Sequence, residues 1–416
     1  MKHALAPVAA LLLGVSILLT GQGLQGTLLP VRAALEEFAT VSIGIMGAAY
    51  FFGFTLGCLR GGELVRRVGH VRVFLAMTAL GSAAPLVHGL FLSPVGWALL
   101  RMISGFCFAV LYVVIESWLN EASTNENRGT IFSIYAMISL TVLAAGQMMT
   151  LLYDPFGLQL FAIASVLVSL GALPVALSTS PSPEIPQSVK LDLRKLYRIS
   201  PAAAVGCLAT GLANGAFWSL APVFAVSVAG DPSLPAWFMT ASVVGGAVLQ
   251  WPLGYLSDKI GRRKIIIASA AIGAGIAIVF VGSFDNLNFV TACIAGLLWG
   301  SVAFPLYAIA VAHANDFAET DDYVMISSGL LLMYGVGAIA GPFIASSIMT
   351  WSNAAGLYAF TGIVHLSLVA FVGYRMLRRE SAPEEAHMAF GDALATAHTA
   401  SQVYEEEIQN QADEEH

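Results

Sequence analysis

The chain has 416 residues, 57% apolar and only 11% charged, with a mean hydropathy of +0.77. A water-soluble domain carries roughly 25% charged residues, so this surface is not built for water alone. The net charge of −7 comes from residues 380–416, which hold ten acids and no Lys or Arg. The basic residues elsewhere are scattered in small clusters, which excludes a nucleic-acid-binding face.

A helix that crosses the hydrocarbon needs about 20 largely apolar residues. On that rule spans are expected at about 7–30, 41–61, 73–92, 94–118, 130–152 and 157–177, then at 201–227, 235–257, 265–283, 287–311, 324–349 and 354–374. Strands of a membrane barrel read as alternating segments of about ten residues, and these continuous runs do not. The first run is read as a span rather than a secretory signal, because it is long, carries Gly14, Gln22, Gln25 and Pro30, and lacks a small-residue cleavage site. The expected fold class is an all-α membrane protein of twelve transmembrane helices in two repeated six-helix halves. The halves are 1–177 and 201–379, joined by a Pro-rich cytoplasmic linker at 178–200 and followed by an acidic cytoplasmic tail at 380–416.

Lys and Arg mark the cytoplasmic side. With the N-terminus inside, every basic residue falls on that side except Arg32, placed in an outer loop, and Arg101, placed within span four. Both termini are therefore expected in the cytoplasm of a bacterial cell, with the chain in the inner membrane. Cys58, Cys107, Cys207 and Cys293 lie in apolar runs and suit packed small hydrophobes; they form no disulfide frame or zinc spacing.

The two halves share a pattern. An offset of 192 pairs Gly14 with Gly206, Gln22 with Asn214, Pro30 with Pro222, Gly53 with Gly245, Gly62 with Gly254 and Gly69 with Gly261. An offset of 195 pairs Gly105 with Gly300, Tyr112 with Tyr307, Asn120 with Asn315 and Gly146 with Gly341. Glycine and proline fix backbone geometry, so their agreement implies like-shaped helices facing each other across a midplane site.

Between spans eight and nine the chain reads Gly254-Tyr-Leu-Ser-Asp258-Lys259-Ile-Gly261-Arg262-Arg263-Lys264. This resembles the loop signature of the major facilitator superfamily, G-x-x-x-D-[RK]-x-G-[RK]-[RK], at every defined position. The counterpart between spans two and three reads Gly62-Glu63-Leu-Val-Arg66-Arg67-Val-Gly69-His70, with Arg66 in place of the signature aspartate. Arg101-Met-Ile-Ser-Gly105 resembles the family's R-x-x-x-G pattern. Glu116-Ser-Trp-Leu-Asn120 with Arg128-Gly129 resembles its uncharacterised YcaD-like bacterial branch. The resemblance implies alternating access and a gating role for Gly254, Asp258, Lys259, Gly261, Arg262 and Arg263. The Gly-x-x-x-Gly-Pro pattern of drug–proton antiporters is missing from span five, where Gln147 follows Gly146; the Gly341-Pro342 pair stands in span eleven instead.

An arginine within a span costs roughly 2.5–3.5 kcal/mol on insertion scales and so faces a cavity or a partner. Arg101 and Gln22 lie at similar depth, with Gln25 and Asn214 near them, which makes these four a candidate substrate cavity; the alternative is an arginine bonded to neighbouring carbonyls and amides. Glu116 lies about 22 Å along the same span from Arg101, too far to pair with it. It is read first as an ion-pair partner of Arg66, Arg67 or Arg128, with proton coupling as the alternative. Asp316, Glu319, Asp321 and Asp322 offer opposite charges to the loop after span eight. His365 is expected as a hydrogen-bonded helix contact. No catalytic constellation, metal cluster or phosphate-cradling loop is present in the sequence, so no cofactor is expected and an enzyme is disfavoured. The leading reading is a monomeric secondary transporter in the lipid bilayer for a small solute, with an anionic solute and proton coupling both open. The alternative is a membrane sensor or assembly protein on the same scaffold.

Overall fold

The structure is a computed structural model that describes residues 9–124, 128–177, 192–228, 230–318 and 322–378, together with Phe390. The described chain is helical. The first half comprises α1 (Ala9–Leu35), α2 (Thr40–Val68), α3 (His70–Leu90), α4 (Pro94–Glu121), α5 (Arg128–Met148), α6 (Gln159–Leu170) and the short α7 (Leu173–Ala176). Then come α8 (Leu193–Ile199), α9 (Pro201–Val226), α10 (Leu234–Ile260), α11 (Arg262–Gly282), α12 (Phe289–Ala303), α13 (Pro305–Asn315), α14 (Tyr323–Trp351) and α15 (Gly356–Arg378).

Eleven stretches of the described residues are long and apolar enough to cross a membrane. The twelfth, α10, has 27 residues, about 40 Å at 1.5 Å per residue; glycines, Gln250 and Pro252 dilute its apolar character. Span six is the α6–α7 pair and span ten the α12–α13 pair. Each break coincides with a proline near the start of the second piece, Pro174 and Pro305, which removes a backbone donor from the ladder. Two elements run five or more residues past their expected ends. α2 continues to Val68, and α1 continues to Leu35, so Arg32 sits on a helix rather than in a loop. There it pairs with Glu36 at 2.6 Å and donates to Pro155 O at 2.8 Å.

Helix α8 occupies the last part of the segment 178–200. Residues 178–191 lie outside the described residues, but the remainder is ordered by Asp192, whose carboxylate accepts from the N–H of Arg194 (3.0 Å) and Lys195 (2.9 Å). Those N–H groups, Lys195's first, hold the Asp192 carboxyl below its ordinary range. Leu196 of α8 is buried, and Lys195 reaches Asp322 at 2.6 Å.

The repeat is written into the helix crossings. α2 crosses α4 as α10 crosses α12, and α1 crosses α5 as α9 crosses α14. At each crossing a glycine meets a backbone carbonyl. A Cβ at Gly53 would overlap Met102 O, and one at Gly245 would overlap Leu297 O; Gly105 faces Tyr50 O as Gly300 faces Ser242 O. Gly146 likewise faces Thr20 O, and Gly341 faces Leu212 O. Each pair of partners obeys the same two offsets as the glycines. The turns at Gly69 (φ +91°) and Gly261 (φ +103°) also match, in a backbone region that L side chains rarely adopt.

The two halves meet through α2 against α14 and α9, α5 against α10, and α1 against α9. Their close approaches crowd toward the end where α2 starts and α14 finishes. A Cβ at Gly44 would overlap Ser346 and Pro342 O, and one at Gly47 would overlap Ser219. Thr240 Oγ1 of α10 lies 3.4 Å from both Ala144 O and Gln147 Oε1 of α5. Gln147, where antiporters place other residues, thus serves a contact between halves. The four cysteines are free thiols, two of them buried.

Because Gly300 and Gly62 differ so sharply in surroundings, their substitutions should too. Gly300→Val should destabilise the purified protein by about 1–3 kcal/mol through overpacking. Gly62→Ala, whose Cβ would meet nothing within 4 Å, should stay within about 0.5 kcal/mol. Thermal unfolding in detergent reads both.

Candidate functional site

The R-x-x-x-G pattern places Arg101 and Gly105 one turn apart on α4, facing α2. Gly105 lets the backbone of Tyr50 approach, and the Arg101 guanidinium then lies over the Tyr50 ring, 4.1 Å from its centroid. The Tyr50 hydroxyl accepts from Gln22 Nε2 at 2.9 Å, and the Tyr112 hydroxyl donates to Gln22 Oε1 at 2.8 Å. Arg101 and Gln22 are therefore brought together through Tyr50 rather than by direct contact. The guanidinium is partly exposed and makes no hydrogen bond or ion pair among the described residues, so the reading of an arginine bonded to local carbonyls is not met.

The second half builds its amide–tyrosine contact from different residues. Asn214, the counterpart of Gln22, is buried and faces the Tyr334 hydroxyl. Tyr334 in turn packs edge-on against Tyr307, with centroids 5.1 Å apart. Among the described residues Asn214 Oδ1 has no hydrogen-bond partner, and neither does any polar side-chain atom of Gln25, which is 2% exposed. Gln25 does not join the Gln22 cluster.

Glu116 stands on α4 about four turns from Arg101 and within roughly 60° of the same face, at 100° per residue. Tyr112 shares that face. Glu116 is half-buried, and its electrostatic neighbours are Cys58, Tyr112, Tyr135 and, from the other half, Tyr307. The expected ion pair is absent among the described residues. Arg67 pairs instead with Glu63, one turn back on its own helix, and Arg66 is exposed. α2 turns both arginines outward while Glu116 faces the interior. The side chain of Arg128 lies outside the described residues.

At the α10–α11 loop the signature residues form a compact ionic junction. Arg262 pairs with Asp258, donates to Ser257 Oγ at 2.9 Å, and crosses to Asp316 at the end of α13 at 3.1 Å. The Arg262 and Asp316 side chains are 2% and 1% exposed. Lys259 lies over Tyr255 and Arg263 over Phe317, at 4.5 and 5.7 Å. Glu319 and Asp321 lie outside the described residues. The first-half loop is held differently: His70, at the position matching Arg262, meets Ser117 Oγ of α4 at 3.1 Å. His365 is buried beside Gly273 and Trp299, but neither of its ring nitrogens has a hydrogen-bond partner among the described residues, contrary to its expected role.

Sequence reasoning missed Tyr50, Tyr334 and Ser257. Tyr50 was legible in principle, since a glycine one turn after an intramembrane arginine admits a neighbouring helix beneath the guanidinium. Tyr334 had no such signal, because its repeat counterpart is Ser139.

A model of the Major Facilitator Superfamily matches residues 11–232 and 203–401. An uncharacterized MFS-type transporter, YcaD of Escherichia fergusonii, is 26% identical over 377 residues, covering 90% of this chain and 96% of that protein. Among solved structures, the nucleoside transporter NupG superposes with a TM-score of 0.77 at 13% identity, covering 90% of this chain and 100% of the other. A bacterial homologue of the lysosomal transporter Spinster, inward-facing and occupied, gives 0.72 at 13% identity, covering 92% and 97%.

Removing Asp316 leaves Arg262 buried with fewer acceptors. Asp316→Ala should cost about 2–3 kcal/mol, less than a fully orphaned buried charge because Asp258 remains. Thermal unfolding checks this, and Lys259→Ala, on an exposed contact, should change little.

Proposed function

The chain belongs to the Major Facilitator Superfamily and is a multi-pass secondary transporter; we propose that it moves a small anionic solute, coupled to protons, by alternating access. One observation carries this reading. The Arg101 guanidinium is positioned on the Tyr50 ring within a membrane-spanning helix, yet among the described residues it makes no hydrogen bond or ion pair. An intramembrane cation held ready in this way fits an anionic group, which it would bind with its planar fork. Gln22, Tyr112, Gln25 and Asn214 supply further hydrogen bonds from both halves. The unpartnered atoms of Gln25 and Asn214 support their use with bound solute or in the other conformer.

Glu116 is the coupling carboxylate in this reading. It has no cation to balance its charge among the described residues, and a charged carboxylate is costly inside a membrane. The Asp258–Arg262–Asp316 junction is the gate, because it ties the loop after α10 to the end of α13 and must rearrange when that end closes. In this reading the loop and both termini are cytoplasmic, which the distribution of basic residues supports, and the chain acts as a monomer in the inner membrane. A cysteine at Asn286 should then label with an impermeant reagent in intact cells and one at Arg66 should not; the reverse would invert the assignment.

The deciding experiment is a thermal-shift screen of the purified protein against anionic and neutral metabolites, followed by uptake of each hit into proteoliposomes. A bound solute raises stability in proportion to RT ln(1 + [L]/Kd). Anionic hits should be transported, and Arg101→Lys should weaken binding at least tenfold, about 1.4 kcal/mol, because the fork is lost. Glu116→Gln should abolish uptake driven by a proton gradient while keeping solute exchange. Binding without any flux would favour a sensor, and unchanged binding in Arg101→Lys would remove Arg101 from the site.

A further inference from the structure

The second-half loop carries a contact that its first-half counterpart lacks. Phe390, from the acidic stretch 380–416, is 2% exposed and belongs to a buried apolar cluster drawn from both halves. Its ring sits on Gly254 so closely that a Cβ there would overlap the ring carbons. Its backbone N–H donates to Asp258 Oδ2 at 3.1 Å, while Asp258 Oδ1 faces Arg262. The signature aspartate is thus held from two sides, by its own loop and by the tail.

The internal repeat supplies a control. At Gly62, the counterpart of Gly254, a Cβ would meet nothing within 4 Å, and Arg66 replaces the acceptor Asp258. The seat for Phe390 therefore exists on one of the two related loops. Charge favours the same choice: Glu384, Glu385 and Asp392 flank Phe390 in sequence, and Lys259, Arg262, Arg263 and Lys264 follow Asp258. Reach is ample, since the residues between Arg378 and Phe390 can extend to about 40 Å.

We propose that the C-terminal tail is an intramolecular latch, in which Phe390 docks on Gly254 and Asp258 and holds the α10–α11 loop with its Arg262–Asp316 pair in the arrangement described above. The ring removes apolar surface from water, and the N–H makes a charge-assisted bond to a carboxylate. Tethering makes both contacts intramolecular, so a single aromatic anchor is enough to occupy the seat and still release it. Any movement of the loop during the transport cycle must first break these two contacts. That regulatory consequence rests on the transporter reading; the docking itself does not.

Two measurements on the full chain test the latch, and neither needs a transported solute. With Phe390 replaced by the photoreactive ring analogue p-azidophenylalanine, irradiation should cross-link position 390 within its own chain. A protease site inserted between residues 380 and 386 then leaves the cleaved tail attached after irradiation. In amide hydrogen exchange, Phe390→Ala should speed exchange at Gly261 and Arg262 at least threefold, and Phe390→Leu should stay near the parent protein. Release of the cleaved tail after irradiation, cross-linked dimers in place of monomers, or unchanged exchange in Phe390→Ala would each overturn the latch. Loss of uptake with both latch readouts intact would count against the transporter reading alone.

Discussion

The close approach of glycine to a neighbouring helix's carbonyl is the constraint on which the rest of this structure depends. Lipid is as apolar as leucine, so helices in a membrane gain little by hiding hydrocarbon from it and depend instead on intimate packing. Gly53, Gly105 and Gly146 in the first half, and Gly245, Gly300 and Gly341 in the second, bring backbones into contact at matched crossings. These contacts make each half a firm unit. The same device at Gly44 and Gly47 presses α2 of one half onto α14 and α9 of the other, toward one end of the bundle. Firm halves meeting through a limited set of contacts are what a rocking transporter needs, because motion can then be confined to the interface.

The polar site follows from the packing rather than preceding it. Gly105 admits the Tyr50 backbone, which sets the ring beneath Arg101 and the hydroxyl beside Gln22. One glycine thereby positions a cation, an aromatic face and an amide in the membrane interior. The second half repeats the fold of this region without repeating its chemistry: Gly300 meets Ser242, where the first half has Tyr50, and Asn214 turns to Tyr334. Duplication has kept the backbone and freed the side chains to diverge, so the site is lopsided, with its intramembrane cation and acid both on α4. The loops diverge in the same way. An ionic junction at Arg262 stands opposite a His70–Ser117 hydrogen bond.

The architecture was largely legible in the sequence because it rests on apolar run length and on glycine. The spans, the repeat offsets and the loop signature all survive as helices, crossings and turns. Element ends were less legible. Arg32 looked like a loop residue because charge usually marks a span's end, yet a pairing with Glu36 and a bond to Pro155 O let α1 carry it. Two of the partners expected for Glu116, Arg66 and Arg67, turned out not to face it, for a related reason. Proximity in depth suggested Arg66 or Arg67 as partners, but depth says nothing about which face of α2 those arginines occupy. Linear spacing likewise placed Gln22 and Arg101 at one depth without disclosing that Tyr50 joins them. The contact of Phe390 with Asp258 spans 132 positions, and no local pattern announces it.

These features form one account: two rigid halves, a cation held on the Tyr50 ring within a membrane-spanning helix, and a loop whose ionic junction meets Phe390. Its central claim is that the two ends of the bundle open in opposition. Electron–electron distance measurements test this most directly, with spin labels at Glu37 and Asn353 at one end and at Arg67 and Lys259 at the other, all exposed positions. In proteoliposomes, as solute or pH is varied, the first distance should lengthen in the same fraction of molecules in which the second shortens. Distances that stay fixed, or that lengthen together, would contradict it.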